Sequence, residues 1–244
     1  MKLEVAMLVA GSETPAEDST TGAVRCVIVL PDNSRRRAVL KRGTPGQITA
    51  EAFSALLLRA WALPVPEPFL VDERGAMSFA SADTGYPNLK QRIGLPAISA
   101  GPAHDAAVRI AIELACCLPT APLAAAIDEV IDNRDRNLGN ILWDGSDESW
   151  IDHAFALGQG AHMDDLNKLC GMVLATQHEE RFSRGAIAHG LLLDRLVASV
   201  VETTVSGTPL GSAALAPFVA ARLVALGGRL VARFPRPADL LSNP

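Results

Sequence analysis

An α+β fold in two parts is the architecture this sequence predicts, and three observations carry the expectation. The first eighty or so residues hold short β-prone runs and one helical stretch, while almost everything beyond residue 163 reads as helix. A polar run, residues 132–137, lies between two apolar segments near the middle. Strands that precede helices, rather than alternating with them, leave a sheet to one side and helices to the other, with a cleft between. The expected division is residues 1–82 and 83–244.

Taken in order, residues 5–10 and 23–30 are β-prone, separated by a small polar segment from Gly11 to Gly22. Pro31-Asp32-Asn33-Ser34 is a turn signal, so residues 23–30 and 37–42 should form a hairpin. Thr44-Pro45-Gly46 breaks the strand, and a helix is expected from Thr49 through Trp61, ended by Pro64-Val65-Pro66. Residues 69–71 and 76–80 read as a second strand pair around Asp72-Glu73-Arg74-Gly75. Helices are expected over 105–118 and 120–131, short strands over 140–143 and 150–151, then helices over 163–177, 181–205 and 212–234.

Composition bounds the rest. The chain has 244 residues, 49% of them apolar and 20% charged, enough for a packed core. A net charge of −5 offers no electrostatic basis for broad nucleic-acid binding. The four cysteines lack CxxC spacing, which argues against zinc and for reduced, buried thiols. Residues 1–10 carry Glu4 and are too short for a signal-sequence core with flanks, so they read as a strand. No uninterrupted apolar run reaches about 18 residues, so no membrane span is expected and a cytoplasmic location is the expectation. The five histidines form no HExxH pair, and no GxSxG elbow is present.

The central run carries the chemistry. Asp135 and Asn140 are separated by Gly139 and neighbours, and Asp152 follows on a Trp150-Ile151 segment. An amide opening an apolar strand, or a carboxylate ending one, is costly without a partner, and a hard cation is such a partner. An acidic residue for the acceptor hydroxyl, with an amide and a second carboxylate for magnesium, matches the needs of phosphoryl transfer from ATP. Arg134 and Arg136 flank Asp135, and one of them is expected near the phosphoacceptor.

The pattern Asn133-x-Asp135-x-x-x-x-Asn140 with Ile151-Asp152-His153 resembles the catalytic and metal-binding segments of HipA-like kinases. The variant Asp135 to Leu142 with Ile151-Asp152 is also similar to phosphoinositide-kinase motifs. The resemblance implies a bilobal protein-kinase-like fold, with a small β-rich N-lobe over 1–82 and a helical C-lobe over 83–244. It implies Asp135 as catalytic base and Asn140 and Asp152 as magnesium ligands. Lys41, ending the run 37–41, resembles the lysine that meets the ATP phosphates, and Glu51 is placed like the glutamate that pairs with it. A first-turn acidic residue that merely complements a helix dipole is the other reading of Glu51. Ser19, Thr20, Thr21 and Gly22 fall where kinases cover the phosphates, although no GxGxxG is present and Glu13, Glu17 and Asp18 are acidic. Phe79-Ala80-Ser81-Ala82 falls where the lobes should join, and Ala80 and Ser81 are expected to offer backbone hydrogen bonds to adenine. A His-Ala pair follows Asp152 where many kinases have Phe-Gly. The implied acceptor is a protein serine or threonine hydroxyl. A pseudokinase module and a lipid or small-molecule kinase are the alternatives.

Overall fold

The computed structural model describes residues 2–16, 22–160, 165–211 and 214–234. Six strands form the strand-rich part: β1 (Glu4–Leu8), β2 (Thr14–Pro15), β3 (Val24–Val29), β4 (Arg35–Lys41), β5 (Pro68–Glu73) and β6 (Ala76–Ala82). Their order is β1-β5-β6-β4-β3-β2, and β1 also pairs with β3 through Met7↔Val29 and Leu8↔Ile28. Five strands therefore close on themselves. Inside lies a small core of Ala6, Cys26, Ile28, Leu30, Ala38, Leu40, Phe69, Val71 and Ala80.

The turns are those that the residues demand. Asp32 accepts the Ser34 N–H at 2.9 Å, and Asn33 takes the left-handed conformation between β3 and β4. Arg74 and Gly75, both at positive φ, turn β5 into β6, the backbone that suits a twisted hairpin.

Helix α1 (Pro45–Ala60) starts four residues earlier than the sequence suggests. Thr44 is its N-cap: Thr44 Oγ1 accepts the Gln47 N–H at 3.3 Å, and Gln47 Oε1 accepts the Thr44 N–H at 2.9 Å. Pro45, expected to break structure, occupies the first turn, where its missing N–H costs nothing. Glu51 is thus in the second turn and buried, so the dipole reading of it falls away.

The helical part begins with α2 (Leu89–Arg92), α3 (Pro102–Cys117) and α4 (Ala121–Ile131). Nearly all of α4 is buried, because α3 and the later helices α5, α6 and α8 all pack on it. The hairpin β7 (Ile141–Trp143) and β8 (Glu148–Trp150) follows, then α5 (Lys168–Val173), α6 (Glu179–Leu192), α7 (Val197–Ser206) and α8 (Leu215–Arg233). Two expected helices change. Of the stretch 163–177, the described residues 165–177 hold only the short α5, and 181–205 breaks at residues 193–196. There Asp194 turns its carboxylate to the Leu196 N–H at 2.8 Å, and its carbonyl accepts Trp61 Nε1–H at 3.1 Å. A side chain that competes for backbone donors ends a helix.

By length and composition alone α8 is long and apolar enough to cross a membrane, with mean hydropathy 1.6, although arginines interrupt it. Its arginines nevertheless turn inward, onto Glu129 of α4. Cys26, Cys116 and Cys170 are buried and unpaired, as expected, while Cys117 is exposed beside His178.

Thr44→Ala should remove about 1 kcal/mol of stability through loss of the cap, read as a lower urea midpoint with unchanged slope.

Candidate active site

Strand periodicity decides which side chains reach the cleft. On β4, Ala38 and Leu40 point into the closed strand core, so Val39 and Lys41 face the other way. On β6, Phe79 and Ser81 face that same side, in register with Lys41 and Val39. Together they line a cleft of about 680 Å³ that also receives Glu51, Asp135, Asn140 and Asp152. The Ala80 side chain faces away from the cleft. Alternation turns it into the strand core, whereas the expectation for this segment concerns backbone hydrogen bonds. The connecting residues Asp83, Thr84 and Tyr86 line the cleft together with Ser81.

Lys41 is the electrostatic centre of the cleft. Its Nζ donates to Glu51 Oε1 at 2.6 Å and to Asp152 Oδ1 at 2.9 Å. Burial disfavours the ammonium, but the charges of Glu51 and Asp152 outweigh it and raise the Lys41 pKa. Burial likewise opposes the Glu51 carboxylate, and the Lys41 charge together with hydrogen bonding from His153 carries its pKa below the usual range. The second Glu51 oxygen accepts the His153 N–H at 3.0 Å. His153 is buried and tied to α1.

Asp135 stands on a loop that is polar in sequence yet largely internal. The loop leaves α4 through Asp132 at φ 57°. Arg136 is fully buried and forks onto Asp128, with Nε to Oδ2 at 2.9 Å and Nη2 to Oδ1 at 2.8 Å. Its third nitrogen donates to the Ile151 carbonyl at 2.7 Å, and its guanidinium lies 5.4 Å from the Trp150 ring centre. Asn133 Nδ2 donates to Asp128 Oδ1 at 2.9 Å. One carboxylate thus fixes both the loop and the strand end that carries Asp152.

Asn140 Nδ2 donates to the Asp135 carbonyl at 3.0 Å, and the Asn140 carbonyl accepts the Ile151 N–H at 3.1 Å. These bonds set the amide and Asp152 side by side. Asp152 itself sits at φ 69°, a left-handed conformation that a carboxylate residue adopts only when its surroundings enforce it. An amide and a carboxylate suit magnesium, which takes few protein ligands and completes its shell with phosphate oxygens and water. Among the described residues, no group of three or more His, Cys, Asp or Glu is placed to hold a metal by itself.

The remaining expectations divide. Ser19, Thr20 and Thr21 lie outside the described residues; Ala16 and Ala23, on either side of them, line the cleft. Gly22 is exposed at φ 72° and is not among the lining residues. Neither flanking arginine lines the cleft: Arg136 is committed to Asp128, and Arg134 pairs with Asp132 at 3.0 Å. Among the described residues, Lys168 places a cation beside Asp135, with Nζ 2.7 Å from Oδ1. No signal in the sequence marked Lys168, because it lies 33 residues away, at the start of a helix too short to show periodicity.

No family model matches the chain, and no curated protein matches its sequence. Among solved structures it is similar to a Helicobacter pylori proinflammatory kinase, CtkA, with a TM-score of 0.55 over 93% of this chain and 96% of that one. The fold is kinase-like. At 14% identity the likeness reaches the fold and no further, so the side-chain geometry above stands on its own.

Arg136→Met should cost about 3–5 kcal/mol by leaving Asp128 buried without its partner. Adding Asp128→Leu should recover more than half of that loss in chemical denaturation.

Proposed function

We propose that the chain is an ATP- and magnesium-dependent kinase with a bilobal, HipA-like arrangement, acting in the cytoplasm on a protein serine or threonine hydroxyl. The observation that carries this reading is the Lys41–Glu51–Asp152 chain of contacts. It joins β4, α1 and the segment after β8 across the cleft that also holds Asp135.

The chemistry follows from position. Val39, Phe79 and Leu142 offer apolar walls suited to a purine, next to the connecting residues from Ser81 to Tyr86. Lys41 offers a buried ammonium to the phosphates, held in place by Glu51. Asp135 orients the acceptor hydroxyl and takes its proton as the oxygen attacks. Asn140 and Asp152 would hold magnesium, which neutralises charge on the phosphate oxygens when bound. The serine/threonine acceptor and the HipA-like kinship rest on the motif resemblance, and the kinase-like fold supports the broader assignment.

The test is incubation of the full chain with γ-labelled ATP, magnesium and a cell lysate. Asp135→Ala and Asp152→Ala should each reduce transfer by about 10³-fold or more while leaving the thermal midpoint within a few degrees. Full activity in both variants would remove the assignment. Stabilisation by magnesium and ATP without any transfer would instead mark a nucleotide-binding module.

A further inference from the structure

Lys168 touches Asp135 from a part of the chain that the motif does not include. A lysine at a helix surface ordinarily spreads over many rotamers, and a contact made by it is weakly determined. Here the backbone beneath it is fixed from both sides. Asn167 is buried, donates to the Ala125 carbonyl of α4 at 2.9 Å, and caps α5 by accepting the Cys170 N–H at 3.1 Å. Leu169 and Cys170 are buried in the main core. Two residues before Asn167, Asp165 is gripped by Arg229 and Arg233, each at 2.9 Å. Both arginines also bond Glu129 of α4. Lys168, about a third exposed, is thus presented from a rigid mount toward Asp135.

We propose that Lys168 is a positioning residue for phosphoryl transfer, holding the Asp135 carboxylate and setting an ammonium on the acceptor side of the reaction. The proposal rests on the kinase reading above. In the step, the acceptor oxygen forms a bond to the γ-phosphorus and its proton passes to Asp135. The bond from that phosphorus to the bridging oxygen breaks, and ADP leaves with the electron pair. Negative charge spreads over the three equatorial oxygens as this happens. Lys41 is engaged by Glu51 and Asp152, and Arg134 and Arg136 are engaged by Asp132 and Asp128. Lys168 reaches the Asp135 carboxylate at 2.7 Å, beside the group that receives the acceptor proton. A preorganised cation there acts on developing charge without having to reorganise.

The test compares wild type, Asp135→Asn, Lys168→Ala and Lys168→Arg as full chains. γ-Labelled ATP and magnesium are supplied with casein, and phosphate reaching casein, the chain itself and water is measured, with Tm alongside. Lys168→Ala is expected to lower kcat about 10²-fold with KM for ATP and Tm unchanged, and Lys168→Arg to regain about tenfold. A kcat within about twofold of wild type in Lys168→Ala overturns the proposal. So does an equal loss in both Lys168 variants together with a lowered Tm. Transfer lost in Asp135→Asn but intact in Lys168→Ala removes the role of Lys168 and leaves the kinase reading standing. Wild type that moves no phosphate to any of the three acceptors ends both.

Discussion

The buried ion pair of Arg136 with Asp128 is the contact on which the cleft depends. Two charges removed from water gain little net stability unless every donor is matched, and here the matching is close. Asp128 receives two guanidinium nitrogens and the Asn133 amide, while the remaining guanidinium nitrogen binds the Ile151 carbonyl. The pair thus contributes specificity as much as stability. It sets the distance between the loop that bears Asp135 and the strand end that bears Asp152, and any rearrangement of either would strand a charge in the core.

Around this pair the molecule is organised by one helix. α4 is surrounded by other helices, and its last turns carry two acidic residues in succession. Successive residues on a helix point about 100° apart, so Asp128 faces the loop and Glu129 faces α8. Glu129 is held ionised: burial opposes its charge, but the bonds and charges of Arg233 and Arg229 prevail. The first frame carries Asp135, and the second carries Asp165 and the mount of Lys168.

Much of this is legible in the sequence, where local chemistry decides. The hairpins at Asp32–Asn33 and Arg74–Gly75 follow from turn residues, and the order of strands before helices points to the fold class. Lys41, Glu51, Asn140 and Asp152 emerge from residue type, spacing and motif resemblance, and the structure brings them into one cleft with Asp135. The misreadings are of another kind. Thr44-Pro45 is both a strand breaker and a helix cap, and only the Gln47 side chain, reaching back, distinguishes the two. Which side chain of β6 faces the cleft depends on strand register, which apolar residues on both faces conceal. Arg136 looks solvated because its partner, Asp128, lies inside an apolar helix. Lys168 is invisible because its contact with Asp135 is made by tertiary structure alone.

The two frames built on α4 also differ from the surface in how they meet salt. Ions in solution screen exposed charges over about 8 Å at physiological strength, and they reach buried pairs far less. Asp128 and Glu129 are each only 2% exposed, so the internal spacing of the site is sheltered from ionic strength. The Lys168–Asp135 contact, with both side chains partly open to water, has no such shelter. Salt therefore acts on the Lys168–Asp135 contact and on the exposed Asp165 pairs more than on the buried carboxylates of α4.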